Sequence, residues 1–175
     1  MGSVPADDPA LHLVVDFVNT YDLFPEPTDR LGPEALARIT RRHGLAASFA
    51  GADLAALRAL RGRCYSVFAA PTGPEKVAAL DALLEWVDAR ARIDPDGRLV
   101  AVVSVGDPVR RLGALCATAL SRALATGGPD RIGTCAAHPC ACGYVDRTRS
   151  GRQRYCCELC NDRAAAAAYR ARRRD

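Results

Sequence analysis

The stretch from Cys135 to Arg163, CAAHPCACGYVDRTRSGRQRYCCELCNDR, holds six of the chain's eight cysteines, and how these thiols are read decides the fold. They form two clusters, Cys135, Cys140 and Cys142, then Cys156, Cys157 and Cys160, separated by a polar segment of hairpin length. A metal clamp, a redox device and an accident of composition are the competing readings. Zinc takes four soft ligands at tetrahedral corners, about 2.3 Å from each sulfur, and local cysteine pairs close such a site at little entropic cost. The tip RTRSGR, residues 147–152, supplies a Ser-Gly turn, with Tyr144, Val145 and Tyr155 as strand residues on either side.

Beyond Cys160 stand Asn161 and Asp162, both good helix-start residues, then five alanines at 164–168. Knuckle, hairpin and helix in that order describe a treble-clef zinc finger. A module of about 45 residues with few large apolar side chains needs a staple to fold, and a metal supplies it.

At this point the residues resemble the CGNR zinc finger: CAAHPC, then Tyr144 and Asp146, then RTRSGRQRYC, and finally CNDR. The resemblance implies one zinc ion held by Cys135, Cys140, Cys156 and Cys160. Two departures stand out. Asn161 replaces the glycine of the family signature, a residue that also tolerates a left-handed backbone. The last cysteine pair is one residue shorter than usual, so Cys157, two residues from Cys160 at the commoner zinc spacing, competes for the third position, and Cys142 is an extra thiol.

Outward from the finger, charge changes with sulfur. Residues 1–129 carry 14 basic and 15 acidic side chains, whereas residues 130–175 carry 10 arginines against 5 acids. The switch falls at ATGGPDRIGTC, whose Gly-Gly-Pro reads as a boundary. Two units are expected: a helical domain over 1–129 and a zinc finger over 130–175. Apolar residues make up 49% of the chain, enough for a core, and they are mostly Ala, Leu and Val, which favours closely packed helices.

Helices are expected from Pro33 to before Gly44, after the cap Asp53, from Pro74 through residue 92, and from Asp107 to before Gly127. LHLVVDFVNTYDLF, 11–24, reads as a buried element, PEPTD, 25–29, as a break, and IDPDGRLVAVVSVGD, 93–107, as a hairpin or strand. On the third of these helices Val77, Leu80, Leu84 and Val87 are expected to line one side. The segments VVDFVNT, 14–20, DLAALRALRGRCYSVF, 53–68, and LDALLEWVDAR, 80–90, resemble the ABATE domain, whose implied role is stress-induced transcription regulation. The fold class expected is therefore mainly α with a small β element, ending in a treble-clef-like finger.

No run reaches the roughly 20 apolar residues that span a bilayer, and the acidic start is no secretory signal, so a cytoplasmic protein is expected. Thiols stay reduced there, which favours metal ligation over disulfides. Cys64 and Cys116 fall on apolar helix faces and read as small core residues. His12 and His43 read as isolated, and no nucleophile–base pair, phosphate loop or paired carboxylates suggest an enzyme. Asn19 and Thr20 read as capping residues, or as polar groups reaching into a pocket.

The basic residues point to DNA. Arg147, Arg149, Arg152 and Arg154 crowd the hairpin, and Arg163, Arg170, Arg172, Arg173 and Arg174 occupy the terminal helix, where Arg163, Arg170 and Arg174 share a face. Small alanines let a backbone approach phosphates, and arginine bonds both phosphates and guanine edges. A transcription regulator that binds DNA through the finger, and dimerises or holds a small-molecule effector through its helical domain, is the expected function. A thiol redox or metal sensor and a protein-interaction adaptor are the alternatives.

Overall fold

The computed structural model describes residues 8–23, 28–44, 51–88, 90–93, 95–97, 99–102 and 107–173, with residues 91 and 99–102 as backbone only. The PEPTD break, the end of the β-branched run at 103–106, and Arg174 lie wholly or mainly outside the described residues.

Among the described residues six helices and two small antiparallel sheets follow one another. Helix α1 spans Pro9–Val18, α2 Pro33–Arg42, α3 Leu54–Ala69 and α4 Gly73–Val87; β1 Arg90–Ile93 and β2 Leu99–Val102 form a hairpin; α5 spans Pro108–Gly127. A 3-10 turn at Pro129–Arg131 leads into β3 Ile132–Thr134, which pairs with β4 Gly143–Val145, and α6 Glu158–Arg172 closes the described chain. The mainly helical fold with a cysteine-rich end matches the expectation.

Local chemistry sets the helix starts. Asp8 accepts from the N–H groups of Ala10 and Leu11, Asp53 from Ala56, and Asp107 from Val109 and Arg110. Each satisfies N–H groups that have no intrahelical partner. Thr72 and Glu75 form a reciprocal capping box at α4.

The core lies among α1, α3, α4 and α5, with Phe17, Leu60, Phe68, Leu83 and Leu112 fully buried. Burying each such side chain contributes about 1.5–3 kcal/mol. Cys64 and Cys116 are both wholly buried in this core, as small hydrophobes. Helix α5 approaches its neighbours closely at Gly113, where a Cβ would lie 2.3 Å from Val87 Cγ1.

Two expectations about α4 are corrected. Its buried face runs through Lys76, Leu80, Leu83 and Val87, while Val77 is about half exposed. Lys76 lays its aliphatic stem along the core and reaches the Ala70 carbonyl with its ammonium, so it takes the position assigned to Val77. The helix also stops at Val87 instead of running to residue 92. Asp88 turns left-handed at φ 52°, and Arg90–Ile93 leave to pair with β2.

The finger is not appended to this core but built into it. Ile132 and Val145 belong to the same buried cluster as the helices. Gly143 lies so close to α1 and α3 that a Cβ would meet Phe68 at 3.1 Å and Val18 at 3.2 Å.

Candidate metal centre and basic surface

Strands β3 and β4 hold the first thiol cluster between them. Cys135 leaves β3, its N–H donating to the Cys142 carbonyl at 2.9 Å, and the chain loops through Cys140 before β4 begins at Gly143. The hairpin therefore flanks the knuckle. Tyr144 and Val145 are strand residues as read from the sequence, but their partner is Ile132–Thr134, and Tyr155 lies in irregular chain.

The segment after β4 is shaped by Asp146, which is 1% exposed. Its carboxylate accepts from the Thr148 N–H and hydroxyl at 2.8 and 2.6 Å and from the Gln153 N–H at 2.9 Å, with Arg131 at 3.8 Å. Burial opposes ionisation of Asp146, but the Thr148 hydroxyl, these two amides and Arg131 together hold it below the usual carboxylate range. The loop so ordered returns to the knuckle, where the Ala136 N–H donates to the Arg154 carbonyl at 2.9 Å.

This return brings the second cluster onto the first. The Sγ atoms of Cys135, Cys140, Cys156 and Cys160 all lie within 4.8 Å of one another, and the Cys140–Cys156 and Cys156–Cys160 separations are both 3.7 Å. Four sulfurs about 2.3 Å from one central zinc stand about 3.8 Å apart along each tetrahedral edge. The cluster therefore has the size of a four-thiolate zinc site. None of the cysteines is in a disulfide.

Electrostatics agree. Around Cys135 burial opposes ionisation, but the N–H groups of Ala137 and Cys156 outweigh it and lower the thiol pKa. Burial and crowding push the Cys156 and Cys160 thiols up, Cys160 to about 12. Four adjacent thiolates need a cation to coexist, and the donor set fits one zinc ion.

The two spare thiols stand outside the cluster. Cys157 is exposed at the start of α6, where the Cys160 N–H lowers its pKa. Cys142 is half-buried, and burial reinforced by Cys140 pushes it up to about 12.

Of the arginines expected to meet DNA, Arg147, Arg149, Arg152, Arg154, Arg163, Arg170 and Arg173 are all exposed. Arg152 and Arg154 line a groove of about 480 Å³ between the Asp146-ordered loop and the start of α6. Arg163, Arg170 and Arg173 are strung along α6 and its end, Arg173 with its guanidinium 5.8 Å from the Tyr169 ring centre. Arg147 is set apart from them, lining a cleft with His12, Asp16 and His43. Helix α6 buries one side chain, Cys160.

The histidines correct their sequence reading as isolated residues. The His12 and His43 rings stack with centres 5.8 Å apart, and His43 Nε2 lies 2.9 Å from Asp16 Oδ2. Asn19 is corrected in part, for it caps the C-terminal end of α1 and its side chain does more. Its Nδ2 donates to the Gly143 carbonyl at 2.9 Å and its Oδ1 accepts from the Gly143 N–H at 2.8 Å, a clasp between α1 and β4. Thr20 turns inward, donating to the Phe17 carbonyl and accepting from Arg61. Tyr65, also unforeseen, donates from α3 to the Ala141 carbonyl at 2.7 Å. The glycine after CAC was the one sequence signal for such close docking.

A family model described as "Putative stress-induced transcription regulator", ABATE, matches residues 11–128, and the CGNR zinc finger model matches residues 131–173. A comparison with curated proteins gives no significant match. Both matched families are of regulator and zinc-finger type, not enzyme families. No helix among the described residues is long and apolar enough to cross a membrane. With about two-thirds of its length matched by the one model and its cysteine cluster by the other, the chain belongs to the ABATE family and carries a CGNR zinc finger.

Proposed function

We propose that this protein is a zinc-dependent DNA-binding regulator of transcription, working in the cytoplasm on the nucleoid. Cys135, Cys140, Cys156 and Cys160 hold the zinc, and Arg147, Arg149, Arg152, Arg154, Arg163, Arg170, Arg173 and Arg174 meet the nucleic acid.

The observation that carries this reading is helix α6. Over Glu158–Arg172 only Cys160 is buried, so the helix projects from the body with an alanine stem and arginines around it. At about 1.5 Å per residue it is roughly 22 Å long. A helix with no apolar face to bury gains its partner elsewhere, and this one offers close approach and positive charge, the needs of a phosphate backbone. Arg152 and Arg154 extend the same basic surface along the groove beside it.

One small finger buries roughly 600–1,000 Å² on DNA, which gives limited affinity. A second copy joined through the helical domain supplies the rest and imposes a two-fold site. The helical domain is also the place for an effector to act.

Binding of the zinc-loaded protein to duplex DNA, followed by fluorescence anisotropy across a salt series, tests the reading. If four arginines contact phosphates, log affinity falls against log salt with a slope of about −3.6. Changing Arg170, Arg173 and Arg174 together to Ala removes most of the binding. A flat salt response, or a triple variant that binds as well as the parent, overturns the DNA role and leaves an adaptor.

A thiol sensor is a second reading, favoured by exposed Cys157, whose Sγ stands 3.9 Å from that of Cys156. Mild peroxide followed by zinc release and thiol counting tests it, and full retention of the metal ends it.

A further inference from the structure

The sides of helix α6 differ from one another. At about 100° per residue, positions four, seven and eleven apart share a side, and a shift of two positions lands on the opposite one. Cys160, Ala164 and Ala171 share the side toward the zinc knuckle, where Cys160 is buried and Ala164 half-buried. The opposite side carries Asp162, Ala166, Tyr169 and Arg173, all exposed. Between these two sides Arg163 and Arg170 stand on one flank and Arg172 on the other, likewise exposed.

Arginines on both flanks bear on how the helix meets DNA. A helix laid across one strand offers its charge to a single row of phosphates and leaves the other flank pointing away. A helix in a groove has a phosphate row on either side. The major groove of B-DNA, about 12 Å wide, admits a helix of about 10–12 Å diameter, and the minor groove, about 6 Å wide, does not. Alanines at 164–168 keep the stem thin, and beyond Cys160 about 18 Å of helix stands clear of the body.

Charge along the axis places the attraction in the outer half. At the base, Glu158, Asp162 and a cluster whose four thiolates outnumber the charge of a zinc ion by two offset Arg152, Arg154 and Arg163. Further out come Arg170, Arg172 and Arg173, with no acid from Arg163 to Arg173. Asp162 is repelled by phosphates, but its side of the helix, between the two basic flanks, is the one a groove would present to base edges. There a carboxylate accepts from the cytosine amino group, and an alanine methyl meets the thymine methyl. Tyr169, 55% exposed, extends the same side, its hydroxyl accepting from the Arg173 guanidinium at 3.4 Å. From Asp162 to Tyr169 the helix rises about 10 Å, the length of about three base pairs.

We infer that α6 enters the major groove of B-form DNA and reads base edges with Asp162, Ala166 and Tyr169, while Arg163, Arg170 and Arg172 hold phosphates on its two flanks. The inference rests on the DNA reading and goes past it. The finger is then a sequence reader, with a preference for cytosine set by Asp162.

The test uses the zinc-loaded full chain. Its affinity for a mixed-sequence DNA duplex is compared, by anisotropy, with that for double-stranded RNA of the same sequence, whose deep, narrow major groove excludes a helix. RNA should bind at least about tenfold more weakly. Ala166→Leu widens the reading side and should weaken DNA binding about tenfold at unchanged zinc content. Ala171→Leu, the same change on the opposite side, should leave binding as it is. Selection from a randomised duplex library should enrich cytosine at one position for the parent. Asp162→Asn should turn that position to adenine, the base an amide side chain pairs with. Equal affinity for RNA and DNA overturns the inference, as do equal effects of the two alanine substitutions. So does a parent that enriches no base, or an Asp162→Asn protein with the parent's preference. A chain that binds DNA but fails in any of these ways keeps the DNA reading and loses only the groove. One that binds neither nucleic acid loses both, and α6 then belongs to an acidic protein partner.

Discussion

Asn19 commits both ends of its side-chain amide to Gly143, a residue 124 positions away. Replacing it by Ala leaves the Gly143 N–H and carbonyl without these partners in a crowded place. We expect Asn19→Ala to lower the unfolding free energy of the zinc-loaded protein by about 1–3 kcal/mol in urea. Asp29 makes a second residue-scale prediction, for pH. Arg61 grips both of its oxygens and holds its pKa far below the ordinary carboxylate range, against burial and with help from the Leu31 N–H and Arg58. The folded pKa lies below the unfolded one, so the stabilisation is complete above the ordinary range, about 4, and is lost as pH falls through the folded value. Asp29→Asn should cost about 2 kcal/mol at neutral pH and flatten the acid limb of a stability–pH curve. A variant as acid-sensitive as the parent would contradict this. At this scale the converging thiols were legible, because metal chemistry restricts their number and spacing. The Asn19–Gly143 clasp was not, since nothing in either local sequence encodes a partner so remote.

Helix α6 is an element that depends on one atom for its anchorage. Isolated helices shorter than about 12–15 residues are marginal in water even when rich in alanine, and α6 has 15 residues with one buried side chain. Removing the metal should therefore melt it. Chelation should reduce the far-UV helical signal on the scale of a 15-residue helix, and Cys160→Ser should do the same without chelator. Cys157→Ser should keep the full signal and the zinc, because its sulfur lies outside the cluster. An unchanged spectrum after complete metal removal would show that α6 holds itself. The starts of α2 to α5 were readable in sequence because an Asp cap or a first-turn Pro is a local signal. Helix α6 instead begins at Glu158 after Cys157, ahead of the Asn161 and Asp162 expected to start it. The α4 face was less so. Residues 77, 80, 84 and 87 and residues 76, 80, 83 and 87 are both helical stripes, and a snorkelling lysine breaks the tie. The end of α4 was hidden for a related reason: VDARAR is helix-compatible, and only pairing with β2 pulls it into a strand.

For the whole molecule, composition and charge divide the chain near residue 129, and the two family matches meet at the same place. Packing runs across that line. Ile132 and Val145 share the helical core, Gly143 lies against Phe68 and Val18, and Tyr65 holds Ala141. A division read from composition cannot show this, because a strand of three residues carries too little pattern to reveal which core it joins. The consequence is that zinc should stabilise more than the finger. Without the metal the knuckle between β3 and β4 is untied, the two strands lose their closure, and the surfaces of Phe68 and Val18 that they cover become accessible. Hydrogen exchange of the full chain, with and without chelator, measures this. We expect amides in the second half of α3 and at the end of α1 to exchange at least about tenfold faster in the metal-free protein, equivalent to about 1.4 kcal/mol of lost local stability. The β1–β2 hairpin, far along the chain from the knuckle and paired only within itself among the described residues, should change little. Acceleration confined to residues after 131 would mean that the finger unfolds alone, and that occupancy of the metal site is not felt by the helical domain.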